Sequence, residues 1–215
     1  MPDYDVIIAG AGSAGVPTAM ALGQLGIKTL VVDAKPSPGQ GDNKHAIGGI
    51  RATHSDPGKI RVGLRSLEIF STWQEIHGDD IEWFRGGYLF PVYREQEEAD
   101  LKRLLPLQRR FGLNIDFIDP DDLQRLVPGI VPHGLIGGAY SPDDGSASPL
   151  LAVNAFTRKA VEHGVRFHFN EPIESVQVEN GRVSGIRTTK GRYRAPVVVD
   201  AAGAGSRPLS RTAGA

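Results

Sequence analysis

Two short segments constrain this chain more than any others. One is Asp5-Val6-Ile7-Ile8-Ala9-Gly10-Ala11-Gly12-Ser13-Ala14-Gly15. The other is Leu30-Val31-Val32-Asp33, whose acid lies eighteen residues after Gly15. The apolar run at 6–9 has no polar side on either face and predicts a buried parallel strand. It opens into a G-x-G-x-x-G turn, and the turn into a helix expected over residues 13–25, with Pro17 near its first turns and Gly26 as its C-cap. Residues 29–33 read as a second strand ending on an acid. Each part has a physical task in holding a dinucleotide. Gly10 permits the tight turn, Gly12 lets backbone approach a pyrophosphate, and Gly15 lets helix and strand pack closely. The helix N-terminus offers free N–H groups and a partial positive charge to the phosphates. Asp33 stands near the usual ~20-residue spacing and can accept hydrogen bonds from ribose hydroxyls.

With 215 residues the chain suffices for one large domain, or one domain and part of another. The net charge is −1, with acids and bases mixed along the chain, which leaves no electrostatic footprint for nucleic acid or an anionic membrane. The apolar stretch at 6–25 is not a secretory signal: it lacks a basic leader and follows Asp3 and Asp5. No run is long and apolar enough to span a bilayer, so a cytoplasmic protein is expected. The absence of cysteine excludes disulfides, thiolate metal sites and a cysteine nucleophile, and no metal site is expected.

Further along, residues 36–42 form a Pro/Gly-rich loop, and a helix is expected over 60–75. A strand at 86–92 precedes an amphipathic helix at 95–111 that Pro106 interrupts. Another helix starts at Asp119, a strand covers 135–140, and Ser141-Pro142-Asp143-Asp144-Gly145 is a turn. A helix at 150–163 leads to a strand at 165–169. A hairpin then joins 176–178 to 183–188 through Glu179-Asn180-Gly181-Arg182. Residues 192–195 continue the meander, and Val197-Val198-Val199-Asp200 reads as a fourth buried parallel strand. The fold class that follows is α/β: a Rossmann-like domain with a parallel sheet and a β-meander, discontinuous over residues 1–80 and 145–215. An α+β segment at 85–140 is inserted into it and forms part of a substrate-binding domain.

Taken in order, several stretches resemble the D-amino-acid oxidase-like flavoproteins. They are the N-terminal turn, Ala46-Ile47-Gly48-Gly49-Ile50-Arg51, Asp143-Asp144-Gly145-Ser146, Gly164-Val165-Arg166 and Val199-Asp200-Ala201-Ala202-Gly203. That family includes glycine oxidase and the beta subunit of sarcosine oxidase, the branch to which the likeness is strongest. The likeness covers essentially the whole chain as the N-terminal portion of such a protein. It implies FAD as cofactor, with Gly10, Gly12, Ser13, Ala14 and Gly15 at the pyrophosphate and Asp33 and Ala34 at the adenosine ribose. The usual acid there is Glu, so Asp33 departs from the pattern by one methylene. The likeness further places Lys44, His45, Gly48 and Gly49 in the loop beside the pyrophosphate and isoalloxazine. Ile173 would face adenine through its backbone, and Ala202 and Gly203 would pass the flavin phosphates. It implies oxidation of the C–N bond of an amino acid or secondary amine by hydride transfer to flavin N5. Arg51 is then the candidate for the substrate carboxylate, with a phosphate or an acidic neighbour as its alternative partner, and His54 is a second catalytic candidate. The family pattern continues past Ala215, so a truncated substrate domain is expected, or a partner subunit or homo-oligomer that completes it. Three other readings stay open: a flavin aromatic hydroxylase, an NAD-dependent dehydrogenase, and a non-catalytic FAD-binding subunit.

Overall fold

The structure, a computed structural model, describes residues 2–214. Along the chain run β1 (Val6–Ala9), α1 (Gly15–Gln24), β2 (Thr29–Val32), β3 (Gly49–Ile50), α2 (Pro57–Ser71), α3 (Trp73–His77) and β4 (Tyr88–Val92). They are followed by α4 (Glu95–Arg110), β5 (Asp116–Ile118), α5 (Pro120–Leu126), β6 (Gly137–Ser141), β7 (Gly145–Ser146) and α6 (Pro149–Glu162). Last come β8 (Arg166–His168), β9 (Ile173–Glu179), β10 (Arg182–Thr188), β11 (Arg192–Arg194), β12 (Val197–Asp200) and α7 (Ser206–Arg211).

Two compact units result. The first joins Met1–Ile47 to Pro149–Ala215, and the second is Gly48–Ser148. In the first, a parallel sheet has the order β12-β1-β2-β8. β1 and β2 are central, and every residue in them is buried, as strands covered on both faces must be. The chain steps outward from β1 through β2 to β8, then returns to the other side of β1 as β12. The strand order therefore reverses between β1 and β12. In open α/β sheets ligands bind beyond the carboxyl ends of the strands at such a reversal. The antiparallel meander β9-β10-β11 packs Ile186 and Ala195 against Tyr4, Ile7, Leu30 and Val32. Its tight loop is Asn180-Gly181, both at positive φ, the two-residue hairpin connection that matches strand twist. Helices α1 and α6 pack together, and the missing side chain of Gly23 makes room for His163 and Val165.

In the second unit a β4-β6-β5 antiparallel sheet shares a core with α2 and α4, built from Ile60, Leu67, Leu105, Leu113, Ile115 and Ala139. A small β3–β7 ladder pairs Gly49 with Ser146 and Ile50 with Gly145.

Four expectations need correction. The compact units divide at 47/48 and 148/149 rather than near 80 and 145, because residues 48–80 pack into the core of the second unit. The helix expected at 60–75 begins earlier, where the Asp56 side chain caps the Lys59 N–H and Pro57 takes the first position. It ends at Ser71, and Trp73 opens α3. Pro106 does not interrupt α4: it lies on the exposed face, where water can serve the carbonyl left without a donor. Finally, β12 is a half-exposed edge strand rather than a buried one, since it pairs on one side only, with β1. No helix among the described residues is long and apolar enough to cross a membrane.

The difference between central and edge strands predicts unequal costs. Ile8→Ala, at a fully buried position, lowers unfolding free energy by about 3 kcal/mol. Val197→Ala, at 47% exposure, lowers it by about 0.5 kcal/mol. Urea denaturation of both variants checks the ratio.

Candidate functional site

The carboxyl end of β1 shows why glycines stand where they do. Gly10 has φ +106, and a Cβ there would fall 2.4 Å from the Ala201 carbonyl oxygen at the exit of β12. A Cβ at Gly15 would fall 2.0 Å from the Gly10 oxygen. Strand, turn and helix can close up only with glycine at both positions. Gly12 differs, because a Cβ there meets nothing within 4 Å: it would project into open space. That space is a cavity of about 740 Å³ lined by Gly10, Gly12, Ser13, Ala14, Asp33 and Ala34 on one side. Ile173, Asp200, Ala202 and Gly203 are also in its wall.

Donors and acceptors are arranged around this cavity. Among the described residues the N–H groups of Gly12, Ser13 and Ala14 donate to no protein acceptor, although the Gly12 and Ala14 carbonyls already accept from Val16 and Thr18. Such orphan donors at a helix start suit an anion. Asp33, at the exit of β2, accepts from the Ala11 N–H through Oδ2 at 2.7 Å and from the Lys35 N–H through Oδ1 at 2.8 Å. Each oxygen keeps a lone pair for a further donor such as a ribose hydroxyl. A donor set for a pyrophosphate, an acceptor for a ribose and a glycine whose missing side chain leaves room all belong to one cavity, and these residues fit a dinucleotide.

Of the residues singled out from sequence, Gly10, Gly12, Ser13, Ala14, Asp33, Ala34, Ile173, Ala202 and Gly203 come together in that wall. Gly15 does not line it; it is buried behind the turn and serves packing. Lys44 and His45 are exposed on the short turn Asp42–His45 and lie outside the lining, whereas their neighbours Gly41, Asp42 and Asn43 lie in it. Gly48 and Gly49 belong to the second unit. Sequence reasoning passed over Asn43, whose side-chain amide donates to the Pro149 carbonyl at 2.9 Å and so ties the loop to the start of α6. No local pattern marks a contact that spans 106 residues.

In the second unit Arg51 and His54 share a cavity of about 650 Å³ with Gly49, Asp56, Lys59, Ser66 and Phe70. The guanidinium of Arg51 donates through Nη1 to the carbonyl and hydroxyl oxygens of Thr53. It lies 5.7 Å from the Tyr88 ring centre and 5.4 Å from that of Phe90, within cation–π range. Burial, and then the charges of Arg51 and Lys59, hold His54 below its ordinary pKa, so it is neutral at pH 7.

Asp144, which the sequence presents only as part of a turn, supports this loop. It is fully buried, and its Oδ1 accepts from the Ala52 N–H at 3.1 Å. Burial pushes its carboxyl above the usual carboxylate range. The Ala52 N–H, the hydroxyls of Thr53 and Ser141 and the charge of Arg51 oppose that push. Asp144 thereby anchors the residue that follows Arg51.

Comparison with known proteins agrees with the cavity. Residues 5–215 match the family model described as FAD dependent oxidoreductase. The chain belongs to that family, whose cofactor is FAD. Mitochondrial sarcosine dehydrogenase of Mus musculus is 26% identical over 216 residues, covering 98% of this chain and 24% of that protein. The crystal structure of L-proline dehydrogenase from P. horikoshii superimposes with a TM-score of 0.93 at 29% identity, covering 100% of this chain and 57% of that one. Glycine oxidase from Bacillus cereus ATCC 14579 gives a TM-score of 0.81 at 26% identity, covering 97% and 58%. The chain thus spans about a quarter of the length of the sarcosine dehydrogenase and just over half of the two solved structures.

The raised pKa of Asp144 has a definite sign. A group whose folded pKa exceeds its unfolded value contributes its full stability below the unfolded value and loses it as pH rises through the folded one. Asp144→Asn, which is neutral throughout, therefore gains on the wild type as pH rises from the ordinary carboxylate range toward neutrality. Melting temperatures of both proteins at pH 4 and pH 7 measure the effect, and a constant gap between them would refute it.

Proposed function

We propose that this protein is an FAD-dependent oxidoreductase that oxidises the C–N bond of an amino acid or secondary amine. The observation that carries the cofactor assignment is the cavity beyond β1 and β12, where three unpartnered backbone N–H groups and the Asp33 carboxylate share one wall. Bound FAD supplies the two-electron acceptor; the chain supplies binding and orientation. Gly12, Ser13 and Ala14 hold the pyrophosphate, Asp33 the ribose, and the backbone at Ile173 the adenine. The names of the relatives support an amine substrate, since they act on sarcosine, proline and glycine.

Arg51 is the residue we assign to the substrate carboxylate. Its Nη1 is engaged by Thr53, and its other N–H groups donate to no protein acceptor among the described residues. Two aromatic rings restrain the guanidinium, so less side-chain freedom is lost when a carboxylate binds. His54 lines the same cavity, and as a neutral imidazole it can take a proton from an ammonium substrate before oxidation.

Two measurements test these assignments. Gly12→Ala leaves the melting temperature of the FAD-free protein unchanged, because its methyl meets no atom, yet weakens FAD binding at least tenfold, as read by flavin fluorescence titration. Equal affinity would remove Gly12 from the pyrophosphate site. Anaerobic addition of sarcosine, glycine, proline and D-amino acids to the FAD-loaded protein bleaches the flavin band with at least one of them. Arg51→Ala then weakens that substrate by about 2 kcal/mol, roughly thirtyfold. Reduction by NADPH and not by amines would instead mark an aromatic hydroxylase. Flavin bound but never reduced would mark a non-catalytic subunit.

A further inference from the structure

The cavity wall described above is held from behind by a buried carboxylate with no part in the chemistry. Glu171 is 2% exposed. It sits between β8 and β9, in the segment that leads into Ile173. Its backbone N–H donates to the Asp33 carbonyl at 3.0 Å, and the N–H of the preceding Asn170 donates to the Lys35 carbonyl at 2.9 Å. Val32, the last residue of β2, is likewise tied to β8 through the sheet, and the Asp33 N–H donates to the His168 carbonyl. The acid that meets the ribose is thus bracketed on its main chain by this segment.

The side chain of Glu171 anchors the same segment on the opposite side. Its Oε1 accepts from the Thr188 hydroxyl at 2.6 Å. That hydroxyl in turn accepts from the Lys190 and Gly191 N–H groups, each at 3.1 Å, which closes the turn between β10 and β11. Thr188 is also the register partner of Ile173 across the β9–β10 ladder. Oε2 lies 3.4 Å from His168 Nδ1, and that nitrogen lies 3.1 Å from the Tyr193 hydroxyl. Burial alone would push the Glu171 carboxyl up, but the Thr188 and Tyr193 hydroxyls and the charges of His168 and Lys190 hold it below its ordinary value. Burial and the nearby Glu171 push the Tyr193 phenol up to about 12. Glu171 therefore joins three separate segments: its backbone N–H holds the exit of β2 to the β8–β9 connection, and its ionised, hydrogen-bonded carboxylate holds that connection to the β10–β11 turn.

We propose that Glu171 is a positioning residue for the adenosine end of the cofactor cavity, fixing Asp33 and Ile173 relative to one another through its bonds to Thr188 and to the Asp33 main chain. This rests on the reading of that cavity as the FAD site. Glu171 touches no ligand itself. It removes the freedom of the 170–173 segment to drift from the strand end, so that the ribose acceptor and the adenine-facing backbone are in place before the cofactor arrives.

The probe is ADP, which carries the adenosine and pyrophosphate without the flavin, with FAD measured alongside. Glu171→Ala, which removes the acceptor that faces Thr188, raises the Kd of both by about tenfold, and Thr188→Val, which removes the facing hydroxyl, does the same. Thr188→Ser, which restores the hydroxyl, recovers wild-type affinity. In a double-mutant cycle Glu171→Ala adds less to the loss caused by Asp33→Asn than it costs alone, because part of its effect acts through Asp33. A merely structural role gives losses that multiply, and that result would overturn the proposal. So would wild-type ADP affinity in both Glu171→Ala and Thr188→Val. If the wild-type protein binds neither ADP nor FAD, the cavity assignment itself falls, an outcome distinct from the failure of Glu171 alone.

Discussion

The approach of α1 to the end of β1 is the contact on which the first unit depends. With only hydrogen on Gly15, the helix comes so near that any side chain there would overlap the Gly10 carbonyl oxygen. That closeness sets the helix start at the cavity, whose wall includes Gly12, Ser13 and Ala14, with N–H groups that meet no protein acceptor among the described residues. Gly10 meets the exit of β12 just as closely, so β12 joins the sheet with its last residue, Asp200, at the same cavity. The order of the sheet, the direction of the helix and the position of the binding wall all follow from two missing side chains.

Two buried acids do comparable work by opposite electrostatics. Asp144 is fully buried, and burial outweighs its N–H, its two hydroxyls and its one cationic neighbour, so its carboxyl is pushed up. Glu171 is almost as buried, but two hydroxyls and two cationic neighbours overcome the same penalty. Each reinforces the end of a strand ladder with a side-chain bond: Asp144 reaches the loop that carries Arg51 beside the β3–β7 pairing, and Glu171 reaches the turn that ends β10 beside the Ile173–Thr188 pair. Neither belongs to the wall of the cavity it supports.

Those elements whose determinants are local were legible from sequence. The strand–turn–helix at 6–24 is encoded by an apolar run and three glycines at fixed spacing, and Asn180-Gly181 specifies its hairpin by backbone preference alone. Gly10, Gly12 and Asp33, marked by the same spacing, line the cavity, and so does Ile173, which only the family resemblance singled out. What escaped depends on distant neighbours. Val197 to Asp200 has the composition of a buried strand, but among the described residues no strand pairs with β12 on its outer side, and that leaves it half-exposed. Residues 44–53 look like one loop, yet the division between the compact units falls at 47/48 within it. Pro106 breaks helices in general, but on a solvent-facing side it does not. Lys44 and His45 sit three and four residues from Gly41 in the lining, yet a single tight turn carries them out of it.

The hydrogen bond from the Ala11 N–H to Asp33 makes the acid proposed for the ribose a structural member of the glycine turn. Its negative charge is satisfied by the main chain on both oxygens before any cofactor arrives. The carboxylate is therefore a fixed post rather than a swinging arm, and removing it would loosen the peptide between Gly10 and Gly12 as well as the grip on the sugar.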